Sequence, residues 1–192
     1  TDRVNLCPRY TYTLFGHYKD AILQFQGLQN RTIDNDIYKI LDNERNADCI
    51  QLKDYTLDHL YLHLSNKGLS EYYEDMNLIY AEYTNKDSHD ISKYTKDLYD
   101  MFPYIEEAYE HVKNSNKNKL NIHGERINSL NVNFKLFKCL ELLNYSCKKN
   151  NFYFLRTPGK LAEHLATWKE MMDFLASKSE PHISKFNWRY IP

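Results

Sequence analysis

Between residues 87 and 113, Ile91, Tyr94, Leu98, Phe102, Ile105, Tyr109 and Val112 recur in steps of three or four, the spacing that lines up one face of an α-helix. The stripe keeps its phase through Pro103, whose ring has no N–H and crowds the preceding turn. It therefore predicts one helix kinked at Pro103, or two nearly collinear ones. Leu136, Cys139, Leu140, Leu143 and Cys147 form a second stripe. Further on, Thr157 can cap and Pro158 can open a helix that buries Leu161, Leu165, Trp168, Met172 and Leu175. Leu57, Leu60, Tyr61 and Leu64 precede a break at SNKG, and Leu69, Tyr72, Tyr73, Met76, Tyr80 and Tyr83 follow it. That pair reads as a helical hairpin. Two shorter helices are predicted at about Tyr10–Phe25 and Ile33–Arg45. HVKNSNKNKLNIHG reads as a polar, mobile connector, and NFYFL is the one short β-like run. With five Gly and five Pro as punctuation and no internal repeat, the pattern predicts an all-α protein, an irregular bundle of six to seven helices.

The length of 192 residues suits a single domain over 1–192 with one sizeable core. The opening TDRVNLCPRY has neither an initiator Met nor an apolar leader, so the chain reads as a piece excised from a longer protein. No run approaches the roughly 20 apolar residues of a membrane span. The formal charge is −1, so the whole-chain field offers no reason to bind nucleic acid or an anionic membrane, and neither is expected as a partner. Seventeen tyrosines stand out, because Tyr serves both amphipathic helix flanks and protein-binding surfaces.

The search for chemistry returns little. His59 and His63 lie four apart on one helix face, as metal ligands can, but no third ligand stands at a matching spacing, and they read as separate polar-face histidines. Glu107 and His111 also share a face, without the second Glu-x-x-His that a di-iron bundle requires. They read as a solvated charged face. Glycine-rich phosphate loops, HExxH and GxSxG are all missing from the sequence. TPGK at 157–160 places a helix start where an anion would be welcome, and ordinary capping explains it equally well. The expectation is a chain with no catalytic residues, no metal and no cofactor; an enzyme or metal carrier using His59 and His63 is the reading from another class.

Cys139 and Cys147 cannot bond to each other within one helix, because eight residues rise about 12 Å and a disulfide needs Cα atoms within about 7 Å. Two readings stay open. Cys7, Cys49, Cys139 and Cys147 are buried thiols, or the first two bond crosswise to the last two and close loops of roughly 100 residues. The sequons at Asn30 and Asn144 add little in a chain this rich in Asn.

The Asn, Lys and Tyr bias is similar to that of malaria-parasite proteins. Within it, CPRYTY at 7–12, KDLYDMF at 96–102 and CLELLNY at 139–145 resemble short elements of the Plasmodium interspersed repeat variant surface antigens. That resemblance implies a non-enzymatic helical ectodomain, secreted or displayed on the parasite or infected cell, with a host receptor as partner. Tyr72, Tyr73, Tyr80 and Tyr83 are the candidate contact residues, since four rings on one hairpin arm exceed the needs of a core stripe. The alternative is an intracellular or exported adaptor that binds a cytoskeletal or trafficking protein with its cysteines reduced.

Overall fold

The computed structural model describes the backbone of residues 7–119, 130–152 and 158–192, and the side chains of 13–116, 130–152 and 159–192. Among the described residues there are seven α-helices and no strand: α1 (Cys7–Gln26), α2 (Asn35–Ala47), α3 (Leu57–Asn66), α4 (Met76–Thr84), α5 (Thr95–Lys119), α6 (Val132–Leu142) and α7 (Pro158–Ala176). The all-α architecture read from the periodicity is what folds. The chain forms two compact units, one of residues 1–91 with 148–153, the other of 92–147 with 154–192.

In the first unit, α1 buries Tyr18, Ala21, Ile22 and Phe25, positions that fall on one helical face. Ile33, Ile37 and Leu41 join Leu60, Leu64, Met76, Leu78 and Ile79 around the fully buried Tyr55. The hairpin predicted at residues 57–83 is present, with a difference in its second arm. A 3₁₀ stretch, Ser70–Asp75, precedes α4, and Arg31 and Gln29 hold the buried Asp75 carboxylate at the junction.

Most helix ends in this unit share one device. After α1, α2 and α3 the chain turns through a left-handed residue, Gly27, Cys49 and Gly68, and the following N–H reaches five residues back: Leu28 to Leu23 O at 2.9 Å, Ile50 to Arg45 O at 3.0 Å and Leu69 to Leu64 O at 2.9 Å. These bonds satisfy carbonyls that the helix leaves open. At Gly27 the turn also presses on α4, since a Cβ there would stand 3.2 Å from Leu78 Cα. Gly27→Ala is therefore expected to lower stability by about 1–2 kcal/mol in urea melts, combining a positive-φ penalty with a backbone clash. Full retention of stability would mean that the turn relaxes freely.

In the second unit, α5 packs along α7 and against α6. Leu98, Phe102, Ile105, Tyr109 and Val112 are buried as predicted. α5 runs unbroken through Pro103 and continues to Lys119, so the first half of the expected polar connector is helix. Lys is a good helix former and Asn only a mildly poor one, and a helix already anchored by its apolar stripe extends through them. The second stripe is shorter than its pattern: α6 ends at Leu142, and Asn144 takes a left-handed turn. Cys147 thus lies beyond the helix that holds Cys139. Trp168, Met171, Met172 and Leu175 of α7 are buried, and Phe134 meets Trp168 edge-on at 5.9 Å. The C-terminal segment closes this unit with Ile183, Phe186 and Trp188 buried and the Trp188 indole donating to Ile183 O at 2.6 Å. The Thr157 cap and the last three residues of NFYFL lie outside the described residues, and Asn151 ends a short 3₁₀ turn.

Candidate functional site

α3 begins where Thr56 Oγ1 accepts from His59 N at 3.3 Å and the His59 ring accepts from Thr56 N at 3.1 Å. This capping box occupies the His59 ring. One turn later His63, 1% exposed, is held between the Tyr55 hydroxyl at 2.9 Å on Nδ1 and the Asp48 carboxylate at 2.9 Å on Nε2. The pair that shares a face in sequence therefore does two separate jobs, a cap and a buried bridge. Among the described residues no cluster of three His, Cys, Asp or Glu is placed to hold a metal ion.

The four candidate tyrosines are half-buried against the first unit's core. Tyr83 donates to Asp42 at 2.8 Å and accepts from Arg45 Nε at 2.9 Å, which ties α4 to α2. Burial, then the Asp42 hydrogen bond, push its hydroxyl pKa up. Tyr72 lies beneath Arg31, with its ring centroid 5.1 Å from the guanidinium carbon, and Tyr73 packs against Tyr61 at 5.2 Å. Tyr80 donates to Tyr55 O at 3.0 Å. Much of each ring is spent inside the unit, which the count of rings on the arm did not reveal.

Tyr80 is also a wall of a cleft of about 370 Å³. The first turn of α3 supplies Thr56, Leu57 and Asp58, α4 supplies Asn77, Tyr80 and Ala81, and residues 87–89 and 148–151 close the remaining sides. Residues 148–151 are held there by Asn77 Nδ2, which donates to Asn151 O at 3.4 Å, and by Asn150 Nδ2, which donates to Asp58 at 3.5 Å. His89 stacks on Phe25 at 4.5 Å, and Phe25 stacks on Phe152 at 4.8 Å. Burial lowers the His89 pKa and so favours its neutral ring. Pattern reading missed this cleft because its sides come from four separated stretches of chain.

In the second unit, Glu107 pairs with Lys178 and His111 stacks on Phe174 at 4.0 Å. Both residues are exposed, as the solvated charged face read from the sequence requires. The cysteines show free thiols at Cys49, which is exposed, at Cys139, which is buried, and at Cys147; the Cys7 side chain lies outside the described residues. Burial pushes the Cys147 thiol up to about 12. Its thiolate is scarce at neutral pH, so iodoacetamide is expected to label Cys147 at least about tenfold more slowly than Cys49. Equal rates in peptide mapping would contradict this.

With the geometry in place, comparison with known proteins decides the family. Residues 6–179 match the sequence profile described as Poxvirus Late Transcription Factor VLTF3 like. The chain belongs to this VLTF3-like family. Candidate transcription factor 282R of Invertebrate iridescent virus 6 is 30% identical over 92% of this chain and 49% of its own length. Candidate transcription factor 079L of Invertebrate iridescent virus 3 is 26% identical over the same shares. The chain thus spans about half the length of these curated relatives. No solved structure matches it.

VLTF3-like membership overturns the likeness to Plasmodium surface antigens. The three fragments behind that likeness lie within α1, within α5, and across the end of α6. Their aromatic and aliphatic spacing is what any amphipathic helix of this composition presents. The secreted or surface-displayed host-binding domain, its host receptor and the cytoskeletal or trafficking adaptor fall with it. The exclusion of nucleic acid falls too, since a net charge of −1 is an average over the chain. The first unit carries fifteen Asp and Glu against eleven Lys and Arg, the second eleven against fourteen. Among the described residues no helix is long and apolar enough to cross a membrane.

Proposed function

We propose that this chain is part of a viral transcription factor, a helical module that acts in transcription by binding and performs no catalysis of its own. The observation that carries the reading is the family match over residues 6–179. The division of charge supports a two-sided role, with the cationic second unit suited to nucleic acid and the acidic first unit suited to a protein of the transcription apparatus. In this reading the module works inside the infected cell, where viral genes are transcribed.

The test is to silence the gene during infection and to measure viral transcripts by class alongside genome copy number. Loss of one temporal class of transcripts at unchanged genome copy number is the expected result. An unaltered transcript profile would refute the reading. Purified protein is also expected to bind duplex DNA with an affinity that falls steeply as salt rises, the mark of phosphate contact.

A further inference from the structure

One side of the first unit's cleft, residues 87–89, belongs to a short stretch of chain that is fixed at both ends. At one end Asn85 takes a left-handed turn out of α4, and Lys86 Nζ donates to Lys53 O at 3.2 Å, to Tyr55 O at 3.1 Å and to the Tyr80 hydroxyl at 3.3 Å. At the other end Ile91, with no solvent exposure, donates its N–H to Oε1 of the buried Gln26 at 2.9 Å. Between these anchors Asp87, Ser88 and Asp90 are exposed, and His89 is half-buried. Its ring stacks on Phe25 at 4.5 Å, and Phe25 is 2% exposed. The middle of the stretch is thus held to α1 by an aromatic contact whose inner face is apolar.

We propose that residues 87–90 are a lid on the cleft, held shut by the neutral His89 ring against Phe25 and released when His89 is protonated. A charged imidazole gives up hydration to stay in an apolar stack, whereas a ring turned out into the cleft recovers it. Burial accordingly lowers the His89 pKa from the ordinary 6.5. The charges around the ring are mixed. Asp87 and Asp90 on its own stretch and Asp58 from α3 stand against Lys86, Lys148 and Lys149, while the last turn of α1 and Asn77, Tyr80 and Ala81 of α4 bring none. Hydration of the ring, with no net pairing, therefore drives the opening. Because the closed lid prefers the neutral ring, it is fully favoured above about pH 6.5 and loses ground as pH falls through the lowered His89 value. The anchors at Lys86 and Ile91 use no group that titrates in that range, so the ends stay fixed while the middle lifts.

The experiment uses the whole chain, with the His89 ring followed by NMR titration and amide hydrogen exchange read at pH 7 and pH 5, each rate corrected for its intrinsic pH dependence. The ring is expected to titrate below 6.5. Corrected exchange over residues 86–90 is expected to rise at least about fivefold at pH 5, while Ala21–Phe25 of α1 stay within about twofold. His89→Phe keeps a stacking ring that cannot titrate, so its lid is expected to stay protected at both pH values. His89→Ala removes the pin and is expected to exchange fast at both, with circular dichroism melts establishing that each variant folds. Equal native exchange at the two pH values would overturn the proposal. So would an acid response that survives in His89→Phe, a His89 titration at or above 6.5, or equal acceleration in α1, which would be general acid unfolding. The transcript assay above is independent of these outcomes: intact dependence of viral transcripts on the gene, with a lid indifferent to pH, would sink the lid alone.

Discussion

Lys138→Ala is expected to lower the unfolding free energy by about 3 kcal/mol, the lower part of the range for breaking a buried ion pair. Lys138 is 1% exposed, on a helix buried on nearly every side from Phe134 to Leu142. Its ammonium pairs with Glu141 one turn on and donates to Ile191 O at 2.6 Å, where it pins the C-terminal segment to α6. Truncation would strand the Glu141 carboxylate, whose side chain is 21% exposed, and would leave the Ile191 carbonyl without that donor. The measurement is the shift of the urea midpoint at constant m-value. The double variant Lys138→Met with Glu141→Gln separates causes. It removes both charges and keeps the volume, so it is expected to recover more than half of the loss. If the single variant unfolds with native stability, the buried pair contributes nothing net.

His63→Leu is expected to be comparably severe, at about 2–4 kcal/mol. The ring bridges two elements, and its loss orphans the hydroxyl of Tyr55, a residue with no solvent exposure. A buried donor left unmade costs its full desolvation, about 1–3 kcal/mol, and the shape mismatch adds to that. On the other side Asp48, whose side chain is 50% exposed, returns to water with little loss. Burial already pushes the Tyr55 hydroxyl pKa up, so the group cannot answer by ionising. The decisive measurement is a double-mutant cycle with Tyr55→Phe. The pair variant is expected to be more stable than the sum of the single losses predicts, by roughly 1–2 kcal/mol. Strict additivity would mean that the Tyr55–His63 hydrogen bond is energetically idle.

These two residues also show where sequence reading reaches its limit. Lys138 sits inside an apolar run edged by lysines, and by type it belongs on the surface; its ion pair with Glu141 and the return of the chain at Ile191, 53 positions later, make burial tolerable. His63 read as a polar-face histidine, yet it is buried, because periodicity reports which residues share a face and is silent on what faces them. The cleft was equally invisible. Asp58 and Asn150 meet across 92 positions, and the sides of the recess combine a helix start, a second helix and two connecting stretches.

What the sequence determined by itself is the inventory of helices. Apolar steps of three and four, few Gly and Pro, and left-handed turn residues such as Gly27 and Gly68 act locally, within a turn or two of chain, and that is the range over which sequence pattern is legible. It also carried the family, since a match over residues 6–179 needs no coordinates, although short fragments of biased composition pointed to the wrong one. Only the tertiary structure decided which polar groups are buried and with whom, that Cys49 takes the left-handed turn a Gly or Asn usually fills, and that residues 148–151 return to the first unit to close a cleft. Those outcomes depend on contacts between residues far apart in the chain. Their energies come from desolvation and pairing, which no local pattern encodes.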